Sequence, residues 1–147
     1  MKARDLMTHD PYVVVAEEPV CRAAEIMREE DVGVVPVVDN FKGMHLRGVI
    51  TDRDIAIRCV AVMRPPDMPV EHCMTTEHLV TVHPGDSVEA VMKAMESQQV
   101  RRVMVVDGKR LVGVISQADL LRREGRLDPV AVEAVLEHIS EPAHAHT

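Results

Sequence analysis

The sequence has almost no aromatic side chains. Tyr12 and Phe41 are its only rings, and Trp is absent. Modules that stack bases or cage cations need several rings, so both classes are excluded. Basic charge is also short: Lys and Arg number 17 against 24 Asp and Glu, a net charge of −7. An acidic surface repels phosphodiester backbones, which argues against nucleic acid as a partner. Long apolar runs are missing too. The longest are five residues, as at 12–16, whereas a membrane helix needs about 20, so no membrane partner is expected. The start, Met1-Lys2-Ala3-Arg4-Asp5, leads into no apolar stretch of the secretory kind. Cys21, Cys59 and Cys73 form no short-spaced pair. An odd count without a signal reads as reduced thiols in the cytoplasm, serving as small hydrophobes.

What is present is aliphatic. Of 147 residues, 46% are hydrophobic, enough for a core of Val, Ile, Leu, Ala and Met. That length fits one domain, or two very small ones sharing a core.

The chain also repeats itself. An offset of 68 relates Val20, Ala23, Ala24 and Met27 to Val88, Val91, Met92 and Met95. Both sets follow the i, i+3, i+4, i+7 spacing of a helix with one buried face. The same offset relates Val34-Val35-Pro36-Val37-Val38-Asp39 to Arg102-Val103-Met104-Val105-Val106-Asp107, and then falls to 65. The change arises because Asp39-Asn40-Phe41-Lys42-Gly43-Met44-His45 is replaced by Asp107-Gly108-Lys109-Arg110. Asp-Gly between apolar runs signals a hairpin. Leu46-Arg47-Gly48-Val49-Ile50 then aligns with Leu111-Val112-Gly113-Val114-Ile115, and Met7-Thr8 and Met74-Thr75 open the copies.

Each copy reads as strand, helix, strand, strand, helix, with opening strands at 12–15 and 79–82 and closing helices from near Asp52 and Gln117. The fold class is α+β: two tandem β-α-β-β-α motifs packed sheet-to-sheet with pseudo-twofold symmetry. The expected organisation is motif 1 at 1–62, a Pro-rich linker at 63–71, motif 2 at 72–127, and a C-terminal helix and flexible tail at 128–147. Pro36 lacks a ladder donor, so its strand should be an edge or be bulged at that point.

Chemistry concentrates where each second hairpin strand meets its helix. Gly48-Val49-Ile50-Thr51-Asp52-Arg53-Asp54 matches Gly113-Val114-Ile115-Ser116-Gln117-Ala118-Asp119. A helix start offers free N–H groups and a positive dipole end that favour phosphate. A hydroxyl there can donate to phosphate, and a carboxylate one turn on can accept from two sugar hydroxyls. The same spacing is equally that of a capping box, which needs no ligand. Arg101-Arg102 stand where the first copy has Gly33-Val34. A guanidinium there can grip phosphate in bidentate fashion, or simply be an exposed charge. His72-Cys73, His78 and His83 match no standard zinc spacing. No Ser/His/Asp order, G-x-S-x-G or P-loop string is present, so no enzyme is expected.

These doubled strings, in order and over roughly residues 5–124, resemble a CBS-domain pair (a Bateman module), similar to the stand-alone CBS proteins of bacteria. The resemblance implies a non-catalytic regulatory module. It would bind AMP, ADP, ATP or S-adenosylmethionine in the cleft between the motifs and signal by dimer rearrangement. It implies that Thr51 and Ser116 touch phosphate and that Asp54 and Asp119 hold ribose. Arg101 and Arg102 would reach the ligand phosphates, and adenine would lie on the opening strands, near Val14 and Val82. It also implies a homodimer, with the helices bearing Ala23-Ala24 and Met92 as contact surfaces. The alternative is a ligand-free dimerisation or protein-interaction module of the same fold.

Overall fold

The computed structural model describes residues 1–122; the expected helix and tail at 128–147 lie outside the described residues. The fold is mixed α/β, with two small sheets and their helices gathered in two compact units.

One unit comprises Tyr12–Leu79 with Lys109–Leu111. Strand β2 (Val14–Val15) leads through helix α2 (Val20–Glu30) to β3 (Val34–Val38), and β4 (Leu46–Thr51) follows. Helix α3 (Asp52–Ile55) runs straight into a π-helical turn, Ala56–Val60. The sheet order is β2-β3-β4, with β2 parallel and β4 antiparallel to β3. As the central strand, β3 is apolar throughout and almost wholly buried. Its core partners include Val14, Val20, Ala23, Ile26, Ile50, Cys59 and Val70.

Two expectations change here. On α2 the buried face is Val20, Ala23 and Ile26; Ala24 is exposed and Met27 half-buried. Turning the stripe this way buries the larger Ile26 side chain in place of Ala24. Pro36 is neither at an edge nor at the bulge itself: β3 is central, and the register shift falls between Val37 and Val38. Pro36 faces Val49, whose N–H and C=O both bond to Thr75 at 3.0 and 2.7 Å. Val49 therefore offers β3 nothing at that pair, and the missing proline donor costs no bond to β4.

The other unit comprises, among the described residues, Met1–Pro11, Val80–Gly108 and 112–122. It holds α1 (Ala3–Leu6), β1 (Thr8–His9), β5 (Thr81–Val82), α4 (Val88–Gln98), β6 (Arg102–Asp107), most of β7 (Arg110–Ser116) and α5 (Gln117–Arg122). Its sheet order is β1-β7-β6-β5. The expected face of α4 is realised: Val88, Val91, Met92 and Met95 are all buried. The expected tight turn between β6 and β7 is realised as well, with Gly108 at φ 64°.

The repeats exchange their opening segments. Thr8 pairs with Val114, and Thr75 pairs in equivalent fashion with Val49. Met1–Pro11 thus completes the sheet of the second repeat, while Thr75 extends that of the first. Gly48 and Gly113 make this approach feasible. A Cβ at Gly48 would sit 2.5 Å from the Thr75 carbonyl, and one at Gly113 would collide with the Met7 side chain. The proline-rich connector joins the first unit as well: Met68 and Val70 are core residues. Pro19 cannot cap α2 with a side chain. Instead the Met68 and Pro66 carbonyls accept from the N–H groups of Val20 and Cys21 at 2.8 and 2.9 Å. In α4 Ser87 does that work itself, its hydroxyl accepting from the Ala90 N–H at 3.1 Å.

Candidate ligand-binding motifs

Both strand-to-helix junctions fold as reciprocal caps. At the first, the Thr51 hydroxyl accepts from the Asp54 N–H and an Asp54 carboxylate oxygen accepts from the Thr51 N–H, each at 3.0 Å. At the second, Asp119 accepts from the Ser116 N–H at 2.7 Å and from its hydroxyl at 3.0 Å. The Asp119 N–H returns a longer bond to Ser116 Oγ at 3.3 Å. Among the described residues, Asp54 and Asp119 are the two buried charged side chains, 8% and 5% exposed. Each helix start is also tied to the first hairpin strand's approach: Asp52 N–H donates to the Gly33 carbonyl and Gln117 N–H to the Arg101 carbonyl, both at 2.9 Å.

The two carboxylates are partnered differently. Asp54 takes the Thr75 hydroxyl on both oxygens, at 3.0 and 3.1 Å, with Arg58 Nε at 4.0 Å. Asp119 is paired with Arg122, three residues on along the same helix. The hydroxyls differ too. Thr51 Oγ1 accepts one bond and keeps its proton to give, whereas Ser116 aims its proton at Asp119.

The wider charge pattern separates the junctions further. Asp52 lies against Gly33, where an added Cβ would come within 3.1 Å of its carboxylate. At the equivalent places the second junction carries neutral Gln117 and cationic Arg101. Arg101 is exposed and Arg102 half-buried. Among the described residues neither guanidinium is in a salt bridge. Sequence reasoning named Arg101 but passed over the Asp52-to-Gln117 exchange, which the repeat alignment contains. It also missed Thr75 as a partner of Asp54, because no local spacing links residues 21 apart.

The opening strands place their apolar residues less favourably than expected. Val14 is fully buried and Val82 is 7% exposed, each inside its unit's core. Period-2 alternation leaves Val13 and Val15 half-buried on the face opposite Val14, whereas half-buried Val80 shares the face of Val82 and packs against that core.

Elsewhere, burial pushes the Cys73 thiol up from its ordinary value, as does the nearby Cys59. All three cysteines are free: Cys59 and Cys73 are buried and Cys21 is half-buried. Burial raises the Glu18 carboxyl, with Arg22 opposing. At Asp39 a desolvation cost is outweighed by N–H groups of His45 and Asn40, so its carboxyl lies below the usual range. His83 pairs with Asp107 at 3.6 Å. Among the described residues no three His, Cys, Asp or Glu side chains converge as a metal site, and no helix is long and apolar enough to cross a membrane.

A doubled β-α-β-β chain with a capped hydroxyl–carboxylate junction after each hairpin defines a tandem α/β repeat module. The CBS domain family model matches residues 3–60 and 67–126, and the chain belongs to that family. The CBS domain-containing protein YhcV of Bacillus subtilis is 38% identical over 117 residues, covering 80% of this chain and 81% of YhcV. Hypoxic response protein 1 of Mycobacterium tuberculosis is 34% identical over 120 residues, 82% of each chain. A crystal structure of Hypoxic Response Protein I with two coordinated zinc ions superposes with a TM-score of 0.73 over 83% of this chain and 98% of that one, at 32% identity. The CBS pair of protein MJ0100, in complex with 5′-methylthioadenosine and S-adenosyl-L-methionine, gives a TM-score of 0.67 at 26% identity. That match covers 86% of this chain and 97% of that one.

Proposed function

We propose that this chain is a non-catalytic, cytoplasmic regulatory module. It binds an adenosine-containing ligand through its two junctions and signals by rearranging a homodimer. Thr51 and Ser116 would meet the ligand's phosphate or its polar tail, and Asp54 and Asp119 its ribose hydroxyls. Arg101 and Arg102 favour a phosphate at the second junction, where the excess of positive charge lies. Beside Val14 and Val82, Val13 and Val15 supply aliphatic surface for adenine. The observation that carries this reading is the matched pair of junctions, each with a hydroxyl and a nearly buried carboxylate held in one geometry. The adenosine ligands of the MJ0100 pair support an adenosine compound as the ligand class.

A ligand can shift a dimer only by binding one arrangement better than another. Thermal unfolding with AMP, ATP and S-adenosylmethionine tests the reading. Ligand at a hundred times Kd should stabilise by about 2.7 kcal/mol. No shift with any of the three would leave the second reading, an interaction module without a ligand. Two observations favour that reading, and the first is that each carboxylate is already satisfied by the chain's own donors. Ile57, Val60, Val62 and Met63 also stand exposed on one short stretch, as an interaction surface requires.

A further inference from the structure

The Thr75 hydroxyl is the feature that no capping role explains. The cap at the first junction is complete without it, since Thr51 and Asp54 satisfy one another. Yet Thr75 is held firmly at Asp54. Its backbone exchanges two bonds with Val49, at 2.7 and 3.0 Å. Gly48 clears the space for its carbonyl. Arg58 donates to the preceding Met74 carbonyl at 3.0 Å while standing 4.0 Å from Asp54. Thr75, Asp54, Arg58 and Met74 therefore form one closed network.

A carboxylate accepts about four hydrogen bonds. Asp54 already receives the Thr51 N–H and the Thr75 hydroxyl, the latter shared between both oxygens. A ribose diol needs both oxygens. Thr8 holds the equivalent register position, opposite Val114. Both Asp119 oxygens are also taken, by Ser116 and Arg122, but those donors belong to its own cap and helix. Among the described residues, a hydroxyl brought from a distant segment is confined to the first junction.

We infer that Thr75 is a positioning residue that acts as a competitive latch on Asp54. A ligand diol engages Asp54 only after the Thr75 hydroxyl lets go. Occupancy of the first junction thereby releases the opening segment of the second repeat from the network that fastens it. The apparent affinity of the first junction is lowered by the fraction of molecules in which the latch is open. This inference rests on the proposed ligand reading.

Calorimetric titration of the full chain with AMP and with S-adenosylmethionine tests it. Asp119→Asn first disables the second junction, so that only the first reports. Adding Thr75→Val keeps the side chain's shape and removes its donor. The dissociation constant should fall by about tenfold, the typical worth of one charge-assisted hydrogen bond. Thr75→Ser should restore the starting value, and Asp54→Asn should abolish the gain. A merely structural Thr75 would weaken binding when replaced, so an unchanged or larger constant overturns the latch. Absence of binding to the unsubstituted chain by either ligand overturns the functional reading, and the latch with it.

Discussion

Thr51 and Ser116 occupy matching positions but carry different loads. Thr51→Ala removes one cap bond from a junction that Thr75 and Arg58 also brace. It should cost about 1 kcal/mol in denaturant unfolding. Asp54→Ala leaves the Thr75 hydroxyl and the Thr51 N–H without their acceptor and should cost more, about 2–3 kcal/mol. The cysteines make a separate test. Burial of Cys59 and Cys73, with the Cys73 thiol held in its protonated form, predicts that native protein exposes one readily alkylated thiol, Cys21, and unfolded protein three. Thiol counting before and after guanidinium checks this; rapid reaction of two or more native thiols would refute it. Asp39 gives the pH arm. Its carboxyl is lowered below 3.8 in the folded chain. Its contribution is therefore present above the unfolded value and lost as pH falls through the lowered folded value. A carboxyl NMR titration should place its midpoint below 3.8, and His45 N–H, bonded to Asp39 at 2.9 Å, should shift in step.

At the scale of elements the exchanged opening segments have a consequence for stability. Leu6 lies in the first repeat but packs with Val88, Val91, Val105 and Ile115 of the second. Leu6→Ala should cost about 2–5 kcal/mol, and hydrogen exchange should show the loss in α4, β6 and β7 while α2 and β3 keep their protection. Loss confined to α2 and β3 would contradict the exchange. The pattern of these elements was largely legible in the sequence. Offsets of 68 and 65 located both helices, both hairpins and both junctions, because side-chain periodicity is local. The exchange was not legible. Met7-Thr8 and Met74-Thr75 carry no signal of which sheet they join; the pairings with Val114 and Val49, and the close approach at Gly48 and Gly113, reveal it. The π-turn at Ala56–Val60 is likewise silent, since its apolar residues suit an α-helix equally well. The junction residues were visible as a motif. The depth of Val14 was not, because three consecutive valines give no alternation to read.

For the molecule as a whole, belonging to the CBS family sets the fold, while the proposed function turns on whether the two junctions bind a ligand. Their inequality is the central feature. One carries Asp52 and a Thr75 latch, and the other Arg101, Arg102 and Gln117. A dimer built from exposed Ala24 or from Ile57, Val60 and Met63 would place such a sensor under subunit control. Sedimentation at micromolar concentration should give a dimer, and Val60→Asp should lower its mass to a monomer if the second surface is the contact. The most direct measurement is a backbone amide NMR titration with S-adenosylmethionine and AMP. The account predicts saturable shifts at 51–54 and 116–119, with the Ser116–Asp119 group moving first for AMP. Saturable shifts that leave both groups untouched, or no shifts with either compound, would contradict it.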